Sequence, residues 1–154
     1  MMRALIAAMC LMLAGSSLLA QVPQIKEKDF KKARVTVFKV SQFQTAPLEH
    51  SIGVEYLLDY QVTKKRELSK EEVPEVRTAL ADSANYISGI SKSCPFIGQN
   101  GLRIESKGRI TDIIISQAGC SKMIYHASTD GQLNYYDLTK ENAIQPMLER
   151  LIRK

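Results

Sequence analysis

Proton-transfer chemistry in this chain can draw on only two imidazoles, because His50 and His126 are its only histidines. His50 follows Glu49 in a segment that also holds Pro47 and reads first as a solvated loop residue, with a general base beside a carboxylate as the second reading. His126 alternates with Ile124 in an apolar run and precedes Asp130, which makes His126 and Asp130 the candidate functional polar residues. Neither histidine has a nucleophile in a recognisable setting. Gly-x-Ser-x-Gly is absent, and "SGIS" at 88–91 reads as the continuation of a helix. Glu55 and Asp59 share one face of an expected strand, roughly 13 Å apart by strand rise, which exceeds either geometry of glycoside hydrolysis. No phosphate-cradling loop and no dinucleotide fingerprint occurs, so no catalytic residue and no cofactor is assigned.

Thiols are the other reactive groups. Of three cysteines, Cys10 sits inside an apolar run, whereas Cys94 and Cys120 lie far downstream. Two thiols without a nearby histidine pair cannot close a tetrahedral metal site, so no metal is assigned. Without Cys-x-x-Cys, one thiol has no neighbour to resolve it, which argues against redox catalysis. A structural disulfide between Cys94 and Cys120 is the remaining reading if the chain reaches an oxidising compartment.

The N-terminus supplies that condition. Met1-Met2-Arg3 is followed by an uncharged apolar run from Ala4 to Gly15 and then by small or weakly polar residues at Ser16, Ser17 and Ala20. This is the layout of a secretory signal peptide over 1–20, and the run is shorter than the ~20 apolar residues of a spanning helix. Leu13-Ala14-Gly15 opens like a lipidation site, but Ser16 stands where the acylated cysteine belongs. A neutral hydroxyl is a far poorer nucleophile than a thiolate, so no stable membrane anchor is expected. Cleavage near Ala20 predicts a soluble periplasmic or secreted product.

Loss of Arg3 with the signal lowers the net charge from +5 to +4, which is mildly basic. The clusters Lys26, Lys28, Lys31, Lys32 and Lys64, Lys65, Arg66 are interrupted or followed by acids and read first as solvated surface. Contact with an acidic envelope polymer or acidic protein is the second reading. Aromatic residues are 6% of the chain and tryptophan is absent, so neither a nucleic-acid surface nor a glycan platform is expected.

The elements that must position these residues follow from periodicity. A flexible or helical lead-in is expected over 21–33, then one α+β domain over 34–154. "RVTVFKVSQF" at 34–43 predicts a strand. Ile52, Val54, Tyr56, Leu58, Tyr60 and Val62 alternate strictly and predict a long strand, hairpin-paired with the first. Ser69 and Glu72 have capping-box spacing, and Val73, Val76, Leu80, Ala84, Ile87 and Ile90 extend a helix over 70–92. Pro74 allows the alternative that this helix starts near itself. Asn100-Gly101 and Lys107-Gly108 read as turns around "LRIE" and "RITDIIIS". "KMIYHA" and "LNYYDL" form a further hairpin, in which Tyr135 and Tyr136 present one ring to each face. A terminal helix, Thr139 to Lys154, carries Ile144, Leu148, Leu151 and Ile152 on one stripe, with Pro146 shortening or kinking it. The order β-β-α-β-β-β-β-α predicts an α+β fold: a mainly antiparallel sheet of about five to six strands packed by two helices and stapled by one disulfide.

A stapled scaffold with several turns and no catalytic motif favours a small exported bacterial binding protein, of inhibitor or immunity type, acting on another protein of the cell envelope. An envelope hydrolase or transferase assembled around His126 is the alternative, and it requires a concave pocket with an acid or serine within hydrogen-bond reach. An assembly or structural subunit is a third reading, and it requires an uncovered strand edge.

Overall fold

A computed structural model describes residues 22–23, 25–88, 92–116 and 119–154. The expected signal peptide, with Cys10, Ser16 and the cleavage position near Ala20, lies outside the described residues.

Ile113-Ile114-Ile115 is the most apolar run of the described chain, and a strand apolar on both faces needs cover on both. All three isoleucines are fully buried in β5 (Arg109–Ser116). The other strands are β1 (Arg34–Gln44), β2 (Tyr56–Leu57), β3 (Tyr60–Glu67), β4 (Gly98–Ser106), β6 (Lys122–Ala127) and β7 (Leu133–Asp137). They form one sheet in the order β2-β3-β1-β4-β5-β6-β7, antiparallel throughout and curled into a half-barrel.

One face of the sheet carries the main core. Val37, Leu102, Ile113 and Tyr125 stand opposite one another in register across β1, β4, β5 and β6. Three helices cover this face: α1 (Glu27–Phe30), α2 (Val73–Ala81) and α3 (Ile144–Arg153). α3 buries Ile144, Met147, Leu148, Leu151 and Ile152, each worth about 1.5–3 kcal/mol on full burial. The opposite face has a smaller apolar cluster of Phe38, Val40, Leu57, Tyr60, Ile114 and Ile124.

The α+β class, the antiparallel sheet and the Cys94–Cys120 disulfide follow the sequence pattern, but the sheet has seven strands and there are three helices. The extra helix is α1, inside the expected lead-in, with Phe30 buried in the core. The extra strand arises because the long strand expected over 52–62 does not form. Leu58 and Asp59 take left-handed φ of 48° and 67°, making a two-residue turn between β2 and β3. That turn reverses the chain, so Leu57, on the face expected to be wetter, is 1% exposed while Ile52 is fully exposed. β3 then runs on through Lys64, Lys65 and Arg66 to pair with β1.

The helix expected over 70–92 is shorter at both ends. It begins at Val73 with Pro74 in its first turn, where no ladder bond is lost, and stops at Asp82, whose carboxylate accepts from the Ala84 amide and turns the chain. Tyr86 bridges to Leu138 instead, and residues 89–91 lie outside the described residues. Asn100-Gly101 is not a turn either: both lie inside β4. A Cβ at Gly101 would overlap Leu57, so glycine is needed there for close packing. Lys107 and Gly108, with φ of 51° and 74°, do make the β4–β5 turn. α3 starts at Ile144 rather than Thr139, and Pro146 falls in its first turn, where no ladder bond is lost.

Candidate functional site

Register on the less covered face decides what the candidate residues can do. Thr36, Arg103, Asp112, His126 and Leu133 form one row across β1, β4, β5, β6 and β7. The adjacent row is Phe38, Gly101, Ile114, Ile124 and Tyr135. His126 therefore sits directly across from Asp112, a pairing with the look of a catalytic dyad. Asp112 is otherwise engaged: its Oδ1 accepts from Arg103 Nε at 2.7 Å and its Oδ2 from Arg103 Nη2 at 2.8 Å. This fork neutralises a carboxylate only 6% exposed, and its hydrogen bonds push the Arg103 guanidinium further above its ordinary range. Arg103 already neutralises Asp112, no hydrogen bond joins Asp112 to the imidazole, and the His126 ring makes no hydrogen bond among the described residues.

Asp130 lies in the β6–β7 turn, where its Oδ1 accepts the Gln132 amide at 3.1 Å beside Gly131 at φ 65°. That is turn chemistry, and no hydrogen bond or ion pair joins Asp130 to His126 among the described residues. His50 is partly buried rather than free in its loop. Its ring stacks on Tyr56 with centroids 3.7 Å apart, and Nε2 lies 3.2 Å from the Thr45 carbonyl and 3.6 Å from Asp59 Oδ1. The nearby carboxylate is thus Asp59, not Glu49.

Cys94 and Cys120 are joined, with Cα atoms 6.0 Å apart. Two lysines reinforce the bridge. Lys92 Nζ donates to the Leu138 carbonyl at 2.6 Å and the Ser121 carbonyl at 3.2 Å, while Lys122 Nζ donates to the carbonyls of Cys94 at 3.1 Å and of Lys92. The Lys92 amide donates to Asp137 Oδ2 at 2.9 Å. The bridge and these bonds fasten the segment before β4 to β6 and the end of β7, a structural task. No group of three or more His, Cys, Asp or Glu side chains is placed to hold a metal among the described residues.

What sequence reasoning missed is an apolar, unpaired margin. Ile110, Leu133 and Tyr135 are 38%, 46% and 64% exposed, and register puts all three on the same face as His126. Leu133 and Tyr135 belong to β7, the last strand of the sheet. Tyr136 faces the core, edge-on to Tyr86 at 6.0 Å and to Tyr125 at 6.3 Å. The Ile87 amide donates to the Asp137 carbonyl and Tyr86 bridges Leu138, covering the far end of β7. From Leu133 to Tyr136, no described residue pairs with the outer edge. The opposite margin differs: beyond β2, the outer edge of β3 reads Thr63-Lys64-Lys65-Arg66-Glu67. Charged residues of this kind guard strand edges, and β7 has none between Leu133 and Tyr136. The signal was present in "LNYY", an alternating strand without a charge. Among the described residues, no helix is long and apolar enough to cross a membrane.

No protein-family model, curated protein or solved structure matches this chain.

Proposed function

We propose that this is a small exported binding protein that engages another protein of the cell envelope, in the manner of an inhibitor or immunity protein, by taking an extended segment of its partner along β7. The observation that supports the reading is the uncharged, unpaired edge of β7 with Leu133 and Tyr135 exposed on one face. Strand addition there would form main-chain hydrogen bonds worth about 0.5–1.5 kcal/mol each, while Leu133, Tyr135 and Ile110 offer apolar anchors on the flanking face. A disulfide-bonded scaffold fits a periplasmic or secreted location.

A hydrolase or transferase built on His126 has less to draw on, because no hydrogen bond joins His126 to Asp112 among the described residues and Arg103 already neutralises that carboxylate. The assembly reading gains one specific support, since an unguarded edge accepts a second copy of the same strand as readily as a foreign one.

The test is a pull-down from envelope extract with wild type and Tyr135→Lys, alongside measurement of mass in solution. The reading expects a saturable protein partner that the variant loses while unfolding as wild type does. Absence of a saturable partner, or undiminished capture by the variant, refutes it; a concentration-dependent dimer abolished by the variant selects the assembly reading instead.

A further inference from the structure

The helical side of the molecule carries a second feature that a β7 interface does not use. Between α1 and α2 lies a cleft of about 1020 Å³, at the upper end of the ~300–1,000 Å³ range of small-molecule sites. The apolar part of its lining is Phe30, Ala33, Val73 and Pro74. The charged part is cationic, with Lys28, Lys31, Lys32, Lys70 and Arg77 against a single acid, Glu27. Glu27 is already engaged, accepting from Arg77 Nη1 at 3.1 Å. No carboxylate of the described residues forms an ion pair with any of the four lysines. Lys32 adds a further cost, holding a left-handed φ of 59° that a glycine or asparagine would adopt with less strain. The fold thus brings Lys70 to lysines that are distant in sequence and sets like charges around an apolar trough.

We propose that this cleft binds a free long-chain carboxylate, an amphiphile with an anionic head and a single alkyl chain. Inorganic phosphate or an acidic peptide would answer the ammonium groups and leave the trough wet. An uncharged alkyl chain would cover the trough and leave four cations facing it. A fatty carboxylate satisfies both halves of the lining, its head among the lysines and its chain along Phe30, Val73 and Pro74.

The experiment is calorimetric titration of the disulfide-bonded protein with sodium dodecanoate below its micelle concentration. Saturation at one site is expected. Affinity should rise by up to about fourfold per methylene from octanoate to dodecanoate, and should fall as salt is added. Lys31→Glu with Lys70→Glu, both at exposed positions, should weaken binding about tenfold or more, while Lys31→Arg with Lys70→Arg should retain it. Lys140→Glu, exposed and outside the cleft, should change nothing. The proposal is overturned by equal affinity for dodecyl maltoside, by no saturation with dodecanoate, by binding of a polyglutamate peptide in its place, or by a loss in Lys140→Glu equal to that of the double reversal.

Discussion

Glutamine in place of Glu72 separates one carboxylate's contribution from everything else that titrates in acid. Glu72 Oε2 accepts from Arg66 Nη1 at 2.8 Å and from the Ser69 amide at 3.1 Å. Oε1 accepts from Arg66 Nη2 at 3.2 Å and Lys154 Nζ at 3.1 Å. Arg66 Nε in turn donates to the Leu151 carbonyl at 2.7 Å, so the group joins the end of β3, the entry to α2 and the last turn of α3. The Arg66 hydrogen bond first, then the Ser69 amide and Lys154, hold the carboxyl at about 2 instead of 4.5. Because the folded value is depressed, the stabilisation is fully present above the unfolded value near 4.5 and is lost as pH falls through about 2. At ~1.36 kcal/mol per unit the ceiling is about 3 kcal/mol. The side chains of Arg66 and Glu72 keep 24% and 16% of their surface in water, and solvent screening reduces this to about 1–2 kcal/mol. Urea unfolding of wild type and Glu72→Gln at pH values from 7 to 2.5, with the disulfide intact, measures the gap. Wild type should be more stable by about 1–2 kcal/mol at neutral pH, and the gap should narrow toward pH 2.5, where the unfolded chain carries the proton on Glu72 that folding must then release. A gap that stays constant with pH, or that is absent at pH 7, refutes the assignment.

Replacing Cys94 and Cys120 by serine should cost about 3.5 kcal/mol by the loop-closure relation for a separation of 26 residues, read as a lowered urea midpoint. Gly98→Ala should destabilise by about 2–3 kcal/mol, because its Cβ would fall 2.8 Å from the Ser41 carbonyl, a backbone atom, as well as 2.7 Å from the Tyr60 ring. Ile115→Ala should cost about 2–5 kcal/mol, since this side chain is fully buried at the centre of the sheet. Tyr135→Lys, by contrast, should leave the unfolding midpoint within about 0.5 kcal/mol of wild type.

Local chemistry made some elements legible and tertiary contact hid others. Ile113 to Ile115, the Lys107-Gly108 turn and the α3 stripe are readable because a continuous apolar run, a pair of left-handed residues and a helical period each have one stable local use. The segment 52–62 misleads because its alternation is real but the chain reverses at Leu58-Asp59, which carry neither glycine nor asparagine to announce the turn. Asn100-Gly101 misleads in the opposite sense: a favoured turn pair serves inside a strand because Leu57 needs the space of a missing Cβ. The helical stripe past Asp82 fails because Tyr86 finds a bridge partner in Leu138, far away in sequence. Of the candidate residues, the disulfide was readable from compartment and count. The Arg103 fork that engages Asp112 was not, since it depends on β4–β5 register. The same holds for the cleft, where Lys70 joins Lys28, Lys31 and Lys32 only through the packing of α1 against α2.

The two margins of the sheet also set how far any assembly through it can grow. A unit with two bonding ends polymerises, whereas a unit with one live end and one blocked end acts as a chain stopper. On the proposed reading Lys64 and Lys65 of β3 block one end and β7 is the live one. Head-to-tail fibres, which need β7 of one molecule to meet β3 of the next, are thereby disfavoured. Pairing through β7 ends at a two-body complex, whether the second body is another protein or a twofold-related copy, and leaves both outer margins guarded.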